Sequence, residues 1–120
     1  MRIKRFEDIK AWEEARILTR MVYQTVKGNK SCWNDYKFRE QITKAAVSIM
    51  SNIAEGFSRR TNKEFVQFLF IAKGSCAEVQ SQLYVALDQG YFSKDKFNEL
   101  YVKAEEVAKI LSGFITYLLG

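Results

Sequence analysis

None of the 120 residues is proline. Proline removes a backbone donor and clashes with the preceding turn of a helix. A chain without one is free to run in long unbroken helices, and the apolar residues are spaced to use that freedom. Four segments carry apolar residues at steps of three and four, the signature of one helical face. No segment alternates as a strand does, and no helical-repeat period appears. Hydrophobic residues make up 48% of the chain, enough for a core without metal or disulfide support. A chain of this length buries roughly two thirds of the surface it exposes unfolded. The expected fold is all-α: one domain over residues 1–120, an antiparallel up-down-up-down four-helix bundle with short connections.

The first helix opens with Glu7 and Asp8, acids suited to the positive end of the helix dipole. Ala11, Ala15, Leu18 and Val22 form its apolar line, widened by Ile9, Trp12 and Met21, and Gly28–Asn29 ends it. Lys30–Asp35 reads as a loop, with Trp33 either a partner-facing anchor or, as is more common for such a residue, a lid on the end of the core. Asn34 or Asp35 caps the second helix, which runs to Glu55. Thr61 and Glu64 have capping-box spacing and start a third helix that reaches about Gln89. Its line is Phe65, Phe68, Leu69, Ala72, Cys76, Val79, Leu83, Ala86 and Leu87. Gly90 stops it, and Ser93 caps the fourth. In the fourth, Phe97, Leu100, Tyr101, Ala104, Val107, Ala108, Leu111, Phe114, Ile115 and Leu118 make a wide apolar stripe. Its end, LSGFITYLLG, is apolar on more than one side, which suits contact with a second subunit.

The stretch Gln41–Arg60 is chemically the least ordinary. Ile42, Ala45, Ala46, Ile49 and Ile53 form its core line. A second stripe, Gln41, Lys44, Ser48, Asn52 and Glu55, shares one face of the same helix. Small and amide side chains there suit close packing or hydrogen bonding. Gly56 reads as the C′ residue, and Arg59 and Arg60 mark the corner. Pairing the second and third helices outward from that corner sets Ala45 opposite Gly74, a close contact between small residues. It also brings Ser48 and Gln41 near the level of Phe70–Ala77, within reach of polar groups such as Ser75 and Glu78. Glu55, in the last turn where the dipole disfavours an acid, calls for a partner such as Arg59, Lys63 or free backbone N–H groups.

The formal charge is +5 and the isoelectric point about 9.2, with all of the net positive charge in the first half. Cys32 and Cys76 form no CxxC pair and read as free thiols in a reducing cytoplasm; Cys76 reads as a small core residue. No signal peptide and no membrane-spanning run is seen, so the expected location is the cytoplasm, with no membrane partner. The chain has no histidine. Histidine-based triads and the E-x-x-H metal sites of bundles are therefore excluded, and no catalytic, metal or cofactor residues are assigned.

The sequence resembles the bacterial four-helix-bundle proteins encoded by intervening sequences within 23S rRNA genes. The resemblance rests on FEDIKAWEEA (Phe6–Ala15), AAVSIMSNIAEGFSRR (Ala45–Arg60), KEFVQFL (Lys63–Leu69), IAKGSCAEVQSQL (Ile71–Leu83) and Gly90–Tyr91. It implies a bundle that assembles into a ring, typically a homopentamer, with a basic surface. Accessory proteins of diversity-generating retroelements are similar, and they bind a reverse transcriptase and nucleic acid. Met50 stands where the family often has proline, which permits a straighter helix. Thr43 and Lys44 stand where the family often has arginine, and Thr43 thins the positive surface along the second helix. Lys73 likewise replaces an arginine.

Two functional readings follow. In the first, the protein binds RNA or DNA backbone through a basic surface. Arg16, Arg20, Tyr23 and Lys27 lie on one face of the first helix, where cations neutralise phosphates and a tyrosine can stack on a base. The arm Arg2, Lys4 and Arg5 and the corner Arg59 and Arg60 add charge. No base-reading module is recognisable. In the second, the chain is a scaffold that presents a surface to a partner protein without touching nucleic acid.

Overall fold

The computed structural model describes residues 3–120; Arg2 of the basic arm lies outside them. A 3₁₀ turn at Phe6–Asp8 precedes five helices: α1 (Lys10–Lys27), α2 (Lys30–Asn34), α3 (Tyr36–Phe57), α4 (Asn62–Asp88) and α5 (Lys94–Leu119). There is no strand among the described residues. The four long helices form the expected up-down-up-down bundle, 44 Å long. Helix α1 packs on α3 and α5, and α4 completes the circle between them.

The caps explain the boundaries. Asp35 accepts from the Phe38 N–H, Thr61 from that of Glu64, and Ser93 from that of Lys96. Each meets one of the donors that a helix start leaves free. At the far end of α4, Gly90 takes φ +75°. Gly90 donates to the Leu87 carbonyl and Tyr91 to that of Ala86 at 2.8 Å, the two bonds of a Schellman ending. One continuous core fills the bundle, with Leu18, Ile42, Ile49, Leu69, Leu83, Leu100 and Leu111 fully buried.

Four local expectations are corrected. Glu7 and Asp8 lie in the 3₁₀ turn, because Ile9 is extended and buried and α1 starts only after it. Lys30–Asn34 is a helical turn rather than a loop, capped by the Asn29 side chain on the Cys32 N–H at 2.8 Å. Gly56 is not a left-handed stop. It sits buried inside the last turn of α3, where an added Cβ would lie 2.7 Å from Phe68 Cβ and 2.9 Å from Phe65 Cδ1. Here α3 and α4 approach closely. The Ala45–Gly74 contact does not form. Gly74 is exposed, with no atom within 4 Å of a Cβ placed there, while Ala45 is buried in the core. The observed register pairs Ser48 with Ser75, which sets Ala45 about one turn away from Gly74 along the seam. One residue is about 100° of turn, and that step carries Gly74 round to solvent.

Candidate nucleic-acid interface

Of the stripe from Gln41 to Glu55, Ser48 and Asn52 become part of the α3–α4 seam. Gln41, Lys44 and Glu55 are exposed, and Gln41 does not meet Ser75 or Glu78. Asn52 Nδ2 donates to Ser48 Oγ at 3.0 Å, and Ser48 Oγ lies 3.0 Å from Ser75 Oγ. Ser75 in turn donates to the Ile71 carbonyl at 3.2 Å. A hydroxyl has one hydrogen, so the relay runs Asn52 to Ser48 to Ser75 to the α4 backbone. It ties α3 to α4 through groups that the bundle half buries or buries. Glu55 pairs with Arg59 at 3.0 Å on the surface. Glu78 is exposed and makes no ion pair among the described residues.

The cationic residues fall into two groups. Arg16, Arg20, Tyr23 and Lys27 are all exposed on the face of α1 turned away from its buried Ala11–Ala15–Leu18–Val22–Val26 line. Arg16 lies over the Trp12 ring at 5.9 Å. None of the three cations makes an ion pair among the described residues. Lys4, Arg5, Arg59 and Arg60 lie at the end where α1 begins and α3 gives way to α4. Two of them are already engaged. Arg5 bonds Glu7 at 2.7 Å, which holds the Glu7 carboxyl below its ordinary range, and Arg59 holds Glu55 and covers the Phe68 ring at 4.7 Å. Lys4 and Arg60 are exposed and outside any ion pair among the described residues, so the corner keeps two free cations beside the three of α1.

Family comparison agrees with this architecture. The sequence profile of the family described as 23S rRNA-intervening sequence protein matches residues 7–113. The chain belongs to that family. A solved member of the S23 ribosomal protein family from Bacteroides thetaiotaomicron, described as a protein with unknown function, superposes with a TM-score of 0.73. The two are 20% identical, and the match covers 88% of this chain and 97% of the other; at that identity the likeness speaks for the fold. No curated protein matches. In this chain the AAVSIMSNIAEGF stretch forms the α3 side of the α3–α4 seam.

Two further features of the surface lie outside the α1 stripe and the α3–α4 corner. The first is the outer face of α4. Phe70 and Ile71 are each 53% exposed and Val85 46%, and Gly74, Ala77 and Ser81 lie exposed between them. Phe70 and Ile71 also line an open cleft of about 490 Å³ with Val66 and Leu119. The spacing 70, 74, 77, 81 was in the sequence, but it was masked by the core line on the opposite face. The second is at the α2–α3 corner. Trp33 does not lie flat on the core; it is 38% exposed. The Arg39 guanidinium sits 4.2 Å from its ring centre and 5.0 Å from that of Tyr36, and donates to the Trp33 carbonyl at 2.9 Å. Tyr36 and Arg39 are three apart and adjacent on a helix, a signal visible in the sequence. Trp33 joins them only because α2 folds back.

No catalytic constellation converges. Both thiols are buried, and burial pushes Cys32 up to about 11 and Cys76 to about 12, far from a reactive thiolate. Among the described residues, no group of three or more His, Cys, Asp or Glu is placed to hold a metal. No described helix is long and apolar enough to cross a membrane.

Proposed function

We propose that this protein is a non-enzymatic, self-assembling helical bundle that binds RNA backbone through the exposed face of α1. The observation that carries the reading is the α1 stripe itself: three cations without carboxylate partners among the described residues, with Tyr23 among them, on one outward face. Free cations release phosphate counterions on binding, so affinity falls steeply with salt and depends little on sequence. With Arg5 and Arg59 engaged, their end of the molecule holds Lys4 and Arg60 as free cations among the described residues, fewer than the α1 face holds.

The apolar outer face of α4 supports the assembly part. Phe70, Ile71 and Val85 around Gly74, Ala77 and Ser81 form a surface that another helix can approach closely, and a second copy of the chain is the partner always present. The ring of five comes from the family resemblance. A ring repeats the α1 stripe on each subunit, so weak contacts add. The location consistent with this reading is the cytoplasm.

The test is a titration against several unrelated RNAs at several salt concentrations. Replacing Arg16 and Arg20 by Gln together should weaken binding to all of them alike and flatten the salt slope by about two charges. Equal binding by parent and double variant removes α1 as the site. If the parent binds no RNA at low salt, the scaffold reading takes over, with the α4 face as its presenting surface. Light scattering tests assembly: the parent should run as several copies at micromolar concentration, and Phe70→Lys with Ile71→Lys should run as a folded monomer. A monomeric parent ends the ring reading.

A further inference from the structure

The corner between α2 and α3 carries a group that neither the bundle nor the α1 stripe accounts for. We infer that Trp33, Arg39 and Tyr36 form a stacking platform for an unpaired nucleobase, so that the protein grips single-stranded RNA by a base as well as by its phosphates. This rests on the RNA reading above and adds a second kind of contact to it.

The geometry is that of a preformed site. The Arg39 guanidinium lies over both the Trp33 and the Tyr36 ring, and its bond to the Trp33 carbonyl ties α2 to α3. The arginine occupies one side of each ring, and Tyr36 remains 63% exposed. A bundle gains nothing by leaving two aromatic rings in water. A base gains much from them, because every base has a π-face and stacks on aromatic and guanidinium planes regardless of its identity. The rings are held in place before any ligand arrives, which lowers the ordering cost of binding.

The charges around the platform suit a nucleic-acid strand. Residues 27–40 hold four cations, Lys27, Lys30, Lys37 and Arg39, against two acids, Asp35 and Glu40. None of the four cations is in an ion pair among the described residues. Asp35 does not compete for them. Its carboxylate accepts the Tyr91 hydroxyl at 2.6 Å and the Phe38 N–H at 3.3 Å. Helices α1 and α3 run antiparallel, and Thr19 donates to the Ala46 carbonyl at 3.2 Å. Continuing that register sets Lys27 level with Phe38 and Arg39. The α1 stripe therefore ends at the level of the platform, and a strand lying along Arg16, Arg20 and Lys27 reaches the height of Tyr36 and Trp33.

The experiment separates base from backbone. A Trp12→Phe background leaves Trp33 as the sole indole reporter, since the chain has two tryptophans. Oligoadenylate and an abasic oligomer of equal length are titrated at one salt concentration. Oligoadenylate should quench Trp33 and bind about 5- to 100-fold more tightly than the abasic strand. Tyr36→Ala, at an exposed position, and Trp33→Leu should each shrink that ratio towards one while abasic binding holds. Arg16→Gln with Arg20→Gln should weaken both strands and keep the ratio. A parent that binds both strands equally overturns the platform and leaves the backbone reading standing. Variants at 33 and 36 that keep the parent ratio, or that weaken the abasic strand equally, overturn it as well. A parent that binds neither strand overturns both readings.

Discussion

The same substitution, glycine to alanine, should have opposite effects at two places in this bundle. Both Gly56 and Gly74 are helical, so propensity alone favours alanine at each, by up to about 1 kcal/mol. At Gly74 nothing lies within 4 Å of the new methyl, and the variant should gain most of that. At Gly56 the methyl would sit 2.7 Å from Phe68 Cβ and 2.9 Å from Phe65 Cδ1. Carbon atoms pack best about 3.5–4.0 Å apart, so roughly 1 Å must be found. The Phe65 ring can swing. The Phe68 Cβ cannot, because it is fixed to the α4 backbone, and the helices must part. Overpacking of this kind costs about 1–3 kcal/mol. Against a propensity gain reduced by the helix end, Gly56→Ala should lose about 1–2 kcal/mol. For a chain of this length that lowers Tm by about 3–10 °C. Thermal and urea unfolding followed by circular dichroism, at one protein concentration, measure both variants. A Gly56→Ala protein as stable as the parent, or more so, would refute the claim that α3 and α4 touch through Gly56.

Two further predictions concern groups inside the bundle. Glu14 of α1 bonds Lys103 of α5, both largely shielded, and the Lys103 ammonium holds the Glu14 carboxyl below its ordinary 4.5 while Glu14 raises Lys103 above 10.5. The lowered acid contributes stability that is complete above about pH 4.5 and lost as pH falls through its folded value; the raised lysine contributes below pH 10.5 and loses it above. Glu14→Gln should thus cost about 1–3 kcal/mol near pH 7, and the difference from parent should shrink towards pH 3. A gap that stays constant with pH would disprove the pairing. Cys32 and Cys76 should both resist a thiol reagent at pH 8 in the folded protein and both react in denaturant, read by absorbance; rapid labelling of either in the native state would contradict its burial.

How much of this was legible without coordinates follows from the range of each interaction. The caps Asp35, Thr61 and Ser93 could be read because a cap bonds a backbone N–H three residues on, wherever the rest of the chain lies. The apolar lines could be read because burial repeats with the period of the helix. The α1 stripe followed for the same reason, being the complement of a core line. The axial meeting of Ser48 with Ser75 could be estimated by counting back from the corner.

Rotation about the helix axis could not be counted. It put Ser75 in the seam and Gly74 in water, and it gave the close approach to Gly56. Packing of α3 on α4 sets that phase, and packing is a property of both helices at once. The Glu14–Lys103 pair joins residues 89 apart in the chain, and no local pattern reports such a partner. Trp33 needed the fold most. Its sequence neighbourhood fits a core lid equally well, and only the backward turn of α2, held by Asn29 and Arg39, leaves the ring beside a guanidinium and open to water. The sequence alone determined the four long helices and the core line of each, because those depend on atoms within a few residues. It missed the short turn at Lys30–Asn34 and the apolar outer face of α4. The tertiary structure decided which outward residues stand together, because that depends on how one helix is turned against the next.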